Sequence, residues 1–378
     1  STVYSDPNRN GTGMSAYAPG TGAGLSPLYV VLVDKNNTVV SVAPVSSING
    51  TYSFTDIPYV ASGDIGLKLI LTSQNPASGT TNFAPASAAF PAYLFPTGSD
   101  KSNISTISQN ATSKNVIDIN SSSANIASAD FGIYMMDFGD APNTYGTTIA
   151  GTGAISAVNT NYLRIGSTVD FEIDGTPGTA ADGDGADEDG VSTIPAIIQN
   201  ATTYSLSVSV YNNSGSAQAL QGWIDFNRNN TFDAAEYATV SVPSSTSQQT
   251  VTLEWSGLTG GSAGTSYFRL RLNDATPKAA TDFNGTKGSG EVEDYTLCII
   301  PTPPVAANQS FCGSKIVSDL VSTAPTGATV KWFTTSTGGT ALSTSTAITT
   351  SGTYYAESQP TTGSCVSLTR TPVVVTVN

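Results

Sequence analysis

Tyr204-Ser-Leu-Ser-Val-Ser-Val-Tyr211 alternates strictly between apolar and polar residues. That period of two places every second side chain on one face, as a half-buried β-strand requires. Similar short runs recur, with turn residues between them. Near the N-terminus they are Leu28–Val33, Thr38–Val42, Thr51–Phe54 and Gly66–Leu71. Asp34-Lys-Asn-Asn37 and Asn49-Gly50 mark turns among them. Two more strands are expected at Asn115–Asp118 and Ala129–Ile133, after a long polar stretch from Ser73 to Ser113. Toward the C-terminus, Thr329–Phe333, Gly352–Glu357 and Val373–Val377 read as strands, and Trp332 is the natural core aromatic. The pattern predicts an all-β chain of three tandem antiparallel β-sandwich domains, at 1–135, 136–300 and 301–378. Pro301-Thr-Pro-Pro304 forms a stiff linker before the last of them.

The charge content narrows the function. Only 11% of the 378 residues are charged, against a typical figure of about 25%. The net charge is −14. No Lys/Arg cluster exists to neutralise phosphates, which argues against nucleic acid. No apolar run is long enough to span a membrane as a helix. There is no histidine, so Ser-His-Asp and Cys-His catalysis is impossible within the chain. No constellation of side chains suggests catalysis, and the chain reads as non-enzymatic. The composition suits a secreted β-protein, with an export signal expected upstream of Ser1. The cysteines are Cys298, Cys312 and Cys365. Cys312 and Cys365 fall in one candidate domain and are expected to form a disulfide in an oxidising compartment. Cys298 is then free or paired elsewhere.

Three sets of oxygen-bearing side chains are candidate calcium sites. Asp225, Asn227, Asn229, Thr231 (through its carbonyl), Asp233 and Glu236 stand at positions 1, 3, 5, 7, 9 and 12 of a loop. That is the ligand spacing of an EF-hand, although strands rather than helices flank it. Asn230 replaces the usual Gly at position 6 and tolerates the left-handed turn next best. The alternative is a polar turn. In the second set, Asp182, Asp184, Asp187 and Asp189 lie in a Gly-rich segment that also holds Glu188. Carboxylates so close repel one another unless a cation or free water separates them. Glu291, Glu293 and Asp294 are able to add to such a site. The two glutamates share one strand face, Arg269 and Arg271 share another, and pairing between the two sets is preferred to metal binding.

Three resemblances cover nearly the whole chain. Val3-Tyr-Ser-Asp-Pro-Asn-Arg-Asn-Gly11, Leu28–Asp34, Gly50–Phe54 and Asp130-Phe-Gly-Ile133 resemble the Cna-B/SdrD-type B domains of bacterial surface proteins, which are prealbumin-like sandwiches. In that family the D-x-N-x-N-G turn often holds calcium, which makes Asp6, Asn8 and Asn10 the third candidate set. Position 12 there is Tyr17 rather than Glu, and a plain turn is the preferred reading. Asp137-Phe-Gly-Asp-Ala-Pro-Asn-Thr-Tyr-Gly146, Gly222–Asn229, Phe268–Leu272 and Gly290-Glu-Val-Glu-Asp-Tyr295 resemble the GEVED domain. Members usually carry a His near Ala150 to Ala157. This chain has none, so no role resting on it carries over. Phe311-Cys312, Lys331–Phe333, Gly352–Tyr355 and Cys365 resemble the Ig-like repeats of bacterial gliding and adhesion proteins.

Together the resemblances imply an extracellular protein of the bacterial cell surface, often exported by the type IX route. The expected role is a calcium-stabilised, adhesin-like stalk or the repeating subunit of a fibre. Its partner is an unknown surface or glycan ligand, or further copies of itself. The other reading is a carbohydrate-binding accessory region of a larger secreted enzyme, with Phe90, Tyr93 and Phe95 as its aromatic platform.

Overall fold

The computed structural model describes residues 3–5, 15–16, 28–46, 51–54, 67–83, 95–100, 107–109, 116–119, 130–134, 136–158, 162–169, 172, 174–183, 189–276 and 278–378. The chain is all-β, with only short 3-10 turns as helical elements among these residues.

The N-terminal part forms two sheets. In one, Tyr29–Val33 pairs with Val39–Pro44 and with Leu67–Thr72, which continues to Val116–Ile119 and Ile107–Gln109. The turn that joins the first two strands follows from its sequence. Asp34 Oδ1 accepts the backbone N–H groups of Asn36 and Thr38, and Asn37 takes the left-handed conformation at φ 57°. Val31, Val33, Val39, Ile70 and Phe83 pack on one side of this sheet. The other sheet places Val3–Ser5 beside Asp130–Tyr134. Thr51–Phe54, expected as a strand, makes a single bridge at Thr51 and no extended strand.

The next part is a sandwich of unequal layers. One layer runs Met136–Phe138, Ala154–Ala157, Gly285–Ile300, Gly264–Asn273, Gln218–Ile224 and Tyr237–Val242. The other contains Leu163–Ile165, Thr203–Asn212 and Gln249–Ser256. Thr203–Asn212 alternates between exposed and buried as its sequence demands. Its Leu206, Val208 and Val210 join Leu253 and Trp255 against Leu220, Phe268, Leu270, Leu272 and Leu297 of the facing layer. Each such side chain contributes about 1.5–3 kcal/mol on leaving water.

The last part is another two-sheet unit. Its larger sheet runs Gln309–Phe311, Thr371–Val377, Gly352–Pro360 and Ala328–Phe333, and Lys315–Ile316 pairs with Ala347–Ile348. Trp332 fills the core with Val317, Ile348, Ala356, Val373 and Val375. Most pairings among the described residues are antiparallel. Three of the parallel ones bring an early strand of each part beside a late one, Val3–Ser5 with Asp130–Tyr134, Ala154–Ala157 with Gly285–Ile300, and Gln309–Phe311 with Thr371–Val377, and a fourth sets the short Ile197–Ile198 against the end of Gly285–Ile300.

Packing in the middle sandwich leaves no spare room at Gly222. A Cβ there would sit 2.5 Å from Leu253 Cδ2 and 2.7 Å from the Trp255 ring. The leucine tip is able to turn aside, but the buried indole is fixed by a 2.9 Å hydrogen bond from its Nε1 to the Glu236 carbonyl. Gly222→Ala is expected to destabilise the protein by about 1–3 kcal/mol. Urea unfolding followed by Trp fluorescence checks this, and an unchanged midpoint would show that the layers separate more easily than this packing implies.

Candidate functional site

The loop Asp225–Glu236 follows the strand Gln218–Ile224 and folds on its own polar side chains. Asp225 is fully buried. Its Oδ1 accepts the Asn229 N–H at 3.0 Å, and its Oδ2 accepts the Asn230 N–H at 3.0 Å and the Tyr145 hydroxyl at 2.6 Å. Asn227 and Asn229 direct their amides at Asp233 Oδ2, at 3.1 and 2.8 Å. Asn229 Oδ1 accepts both the N–H and the hydroxyl of Thr231. Arg228 and Asn230 are left-handed, at φ 58° and 66°. Asn230 thus adopts the conformation a Gly would otherwise supply.

Four of the six expected ligands, Asp225, Asn227, Asn229 and Asp233, are therefore brought together. Glu236 is not one of them. Its Oε1 accepts the N–H groups of Phe226 and Asn227, at 2.9 and 3.1 Å, and its Oε2 accepts that of Asp233 at 3.3 Å. The chain turns into a short 3-10 segment at Ala234–Glu236, and this swings the carboxylate back onto the loop's own backbone. The helix that would aim a twelfth-position Glu at an ion is missing. Burial pushes the Glu236 carboxyl up to about 7, and the Asn227 N–H opposes the rise. Burial also raises Asp225, while the Tyr145 hydroxyl and three backbone N–H groups pull it down.

The residues fit a small hard cation in part. Two carboxylates and two amides lie in one cradle, and rotation of each Asn amide by a half-turn would present oxygen in place of nitrogen. Among the described residues no group of three or more His, Cys, Asp or Glu is arranged to hold a metal. Any cation here would rely on amide and carbonyl oxygen as well as on acids.

The other candidate sets are less complete. Asp6, Asn8 and Asn10 lie outside the described residues, as do Asp184 and Asp187. Asp182 is exposed. Asp189 accepts the Ser167 N–H at 2.7 Å together with the hydroxyls of Ser167 and Thr168. The neighbouring Gly183 N–H meets Asp140 Oδ2. Phe90 and Tyr93 also fall outside the described residues.

The two ends of the GEVED-like segment meet in a buried ionic cluster. Arg269 and Asp294 are both fully buried and form two parallel bonds of 2.7 Å, Nε to Oδ1 and Nη2 to Oδ2. Asp294 Oδ2 also accepts the Ala141 N–H at 2.9 Å. Arg269 Nη1 donates to the carbonyls of Tyr145, Gly146 and Phe283 and to Asn284 Oδ1. Asp137 Oδ2 accepts the Val292 N–H at 2.6 Å.

This corrects the expected pairing of Arg269 and Arg271 with Glu291 and Glu293. In the observed register Arg269 faces Asp294 and Arg271 faces Val292, whereas the glutamates face Leu270 and Leu272 on the opposite side of the sheet. There Glu293 Oε1 accepts the Gly190 N–H, and Glu293 Oε2 accepts the Tyr295 hydroxyl at 2.8 Å. Glu291 accepts the Ile165 N–H. Arg271 donates instead to the carbonyls of Ile155, Asp282, Asn284 and Gly285. Burial, with Arg269 close by, lowers Arg271 to about 9.

Tyr145 was not singled out from sequence, although it belongs to the motif that opens this segment. It joins the ionic cluster to the loop. Besides its bond to Asp225, its ring packs 4.8 Å from that of Phe232 and 5.1 Å from that of Tyr267. Trp223 and Phe232 are buried in the same group. Only the recurrence of aromatics on both sides of the loop hinted at this.

The disulfide also differs from expectation. Cys298 pairs with Cys365, at a Cα–Cα distance of 6.1 Å, and Cys312 is exposed and free. The topology explains why Cys312 does not reach Cys365. Gln309–Phe311 runs parallel to Thr371–Val377, so Cys312 sits at the C-terminal end of that strand, and the Gly313 N–H donates to the Asn378 carbonyl. Cys365 precedes the strand's other end. Roughly 20 Å of strand separates the two ends at about 3.3 Å per residue. Cys298 lies next to Cys365 because the loop before Thr371–Val377 rests on Thr265, the cross-strand partner of Cys298.

Comparison with protein families agrees with this architecture. Residues 219–298 match the GEVED domain, and residues 301–378 match the Ig-like domain described as CHU_C associated. Neither is a catalytic family. Comparison with curated proteins gives no match. Among solved structures, the two tandem V-type regions of VCBP3, a v-region-containing chitin binding protein, align at 12% identity over 49% of this chain and 97% of theirs, with a TM-score of 0.16. The calcium binding domain CBD12 of CALX1.1 aligns at 11% identity over 44% of this chain and 77% of its own, with a TM-score of 0.18. Likenesses this slight imply nothing about what this chain binds. Among the described residues no helix is long and apolar enough to cross a membrane.

Removal of Asp294 would strand a buried guanidinium. Asp294→Ala is expected to cost about 3–5 kcal/mol, the usual result of breaking a buried pair from one side. Thermal unfolding measures the loss. A drop no larger than that of an exposed-site control would mean that Arg269 is satisfied by its backbone carbonyls alone.

Proposed function

We propose that the chain is a non-catalytic segment of a bacterial surface protein, an adhesin-like stalk or the repeating subunit of an extracellular fibre, exported by the type IX route. The observation that carries this reading is the union of a GEVED domain and an Ig-like domain through a covalent bridge and hydrogen-bonded contacts. A disulfide between modules suits an oxidising, extracellular setting. Buried ionic and aromatic side chains hold the middle sandwich together, and nothing in their arrangement offers a reacting group to a substrate. The boundaries that suit this reading are 1–135, 136–300 and 301–378. No described feature favours the carbohydrate-binding alternative.

Calcium at the Asp225 loop is part of the proposal. Asp225, Asn227, Asn229 and Asp233 would hold the ion, with the Thr231 carbonyl and water completing its shell. Glu236 would fix the backbone that carries them. The acidic segment containing Asp182, Asp184, Asp187 and Asp189, and the turn containing Asp6, Asn8 and Asn10, are further places for calcium to bind. The ion would supply no chemistry. It would remove the mutual repulsion of buried carboxylates and tie the loop to the strands on either side.

An ion that binds only the folded state stabilises it by about 2.7 kcal/mol at a hundredfold excess over its Kd. Calcium should therefore raise the melting temperature of chelator-treated protein, and Asp225→Ala combined with Asp233→Ala should abolish that part of the rise assigned to the loop. Isothermal titration with calcium gives the stoichiometry. Equal titrations for the wild type and the double variant would remove the loop from the proposal.

A further inference from the structure

The Cys298–Cys365 bridge changes the path that tension takes through the chain. Cys298 lies near the end of the strand Gly285–Ile300, whose long pairing with Gly264–Asn273 anchors it in the GEVED sandwich. Cys365 lies in the connection between Gly352–Pro360 and Thr371–Val377 of the Ig-like sandwich. The bridge therefore encloses residues 299–364, which include the proline linker and most of the Ig-like strands.

Non-covalent contacts clasp the two sandwiches at the same place. Gln199 Nε2 donates to the Gly261 carbonyl at 3.0 Å and the Thr326 carbonyl at 2.8 Å, and Gln199 Oε1 accepts the Thr302 N–H at 3.4 Å. The Ala263 N–H donates to the Thr326 carbonyl at 3.1 Å. Arg228 donates to the carbonyls of Ala263 and Thr265 on one side of the junction and to the Thr362 hydroxyl, at 2.5 Å, on the other. Gly327 and Gly363, both at positive φ, let the Ig-like loops approach so closely that a Cβ would collide with Ala263 and with Thr265. These contacts hold the two cysteine Cα atoms within the span that a disulfide bridges.

We propose that Cys298–Cys365 is a load bypass: tension arriving along Gly285–Ile300 crosses the sulfur bridge directly to residue 365, and residues 299–364 stay out of the force path. The Ig-like sandwich then remains folded and displayed while the chain around it is under load. With the bridge closed, only the 13 residues from 366 to 378 lie between the anchor and the C-terminal handle. They extend to about 47 Å at most. With the bridge open, the 80 residues from 299 to 378 lie in series and extend to about 290 Å. The load must then shear the parallel pair Gln309–Phe311 and Thr371–Val377, in which the bonds are strained together rather than one after another. The proposal rests on the covalent connection and is independent of cation binding.

Optical-tweezers pulling on the full chain, with handles at residues 1 and 378, tests it. Oxidised protein is compared with protein held in dithiothreitol, which supplies the two electrons and two protons that convert the bridge to two thiols, and with the Cys298→Ser/Cys365→Ser double variant. Both open forms should release roughly 240 Å more contour length than the oxidised form, the extent of the 66 enclosed residues. Cys312→Ser should behave as the oxidised wild type. Equal release in the oxidised and open forms would overturn the proposal. So would a Cys312→Ser protein that releases more than the wild type, because the enclosed segment would then begin at residue 312.

Discussion

The buried pair between Arg269 and Asp294 is the interaction on which the middle of the molecule depends. Burying two charges is costly, and their attraction offsets that cost only when the geometry is good and every remaining donor and acceptor is met. Here the guanidinium and carboxylate meet side by side, and the spare guanidinium donors go to carbonyls on two other segments. The arrangement fixes where those segments lie. The chain at Tyr145–Gly146 and the chain at Phe283–Asn284 are both held by one side chain. Arg rather than Lys is needed, since only the planar fork supplies parallel bonds and further donors in fixed directions.

From that pair a chain of direct contacts reaches the junction with the Ig-like sandwich. Arg269 holds the Tyr145 carbonyl, and the Tyr145 hydroxyl holds Asp225. Asp225 accepts from the turn at Asn229 and Asn230. Arg228, in the same turn, reaches Thr362 across the junction. The steps from Arg269 to the turn are hydrogen bonds at least partly shielded from water, where such bonds are electrostatically stronger, and the Arg228–Thr362 bond lies at the surface. The segments 137–146 and 290–295 therefore build a frame for the loop, and the loop in turn meets the next module. The polar loop is thus a structural part of the sandwich.

How much of this was legible in the sequence depended on the range of the interaction. Strands were visible from local alternation, and their registers largely set the cores. The left-handed turn at Asn230 was also legible, because it depends on one residue's backbone preference. The direction of Glu236 was not. The spacing of an EF-hand assumes a following helix, and here a strand follows after a single 3-10 turn. The partners of Arg269 and Arg271 were misread because alternation along a strand does not reveal cross-strand register. A slip of one residue moves every side chain to the other face. The disulfide was missed for a similar reason. Pairing within one candidate domain was assumed, but the parallel placement of Gln309–Phe311 beside Thr371–Val377 carries Cys312 to the wrong end.

The scarcity of charge then takes on a physical meaning. Only 11% of residues are charged, yet Asp137, Asp140, Asp225, Glu236, Arg269, Arg271, Glu291, Glu293 and Asp294 are all buried in the middle sandwich. Among the described residues, strand faces turned to solvent are coated largely by Ser, Thr, Asn and Gln, as along Thr203–Asn212 and Gln249–Ser256. Surface ion pairs weaken as salt screens them, but buried pairs are screened far less. The buried pair of the middle sandwich therefore holds through an interaction that ionic strength barely reaches. Along Thr203–Asn212 and Gln249–Ser256 the mainly uncharged coat leaves few flexible Lys and Glu side chains to be ordered at a contact, so that less side-chain entropy is lost when this face meets a partner.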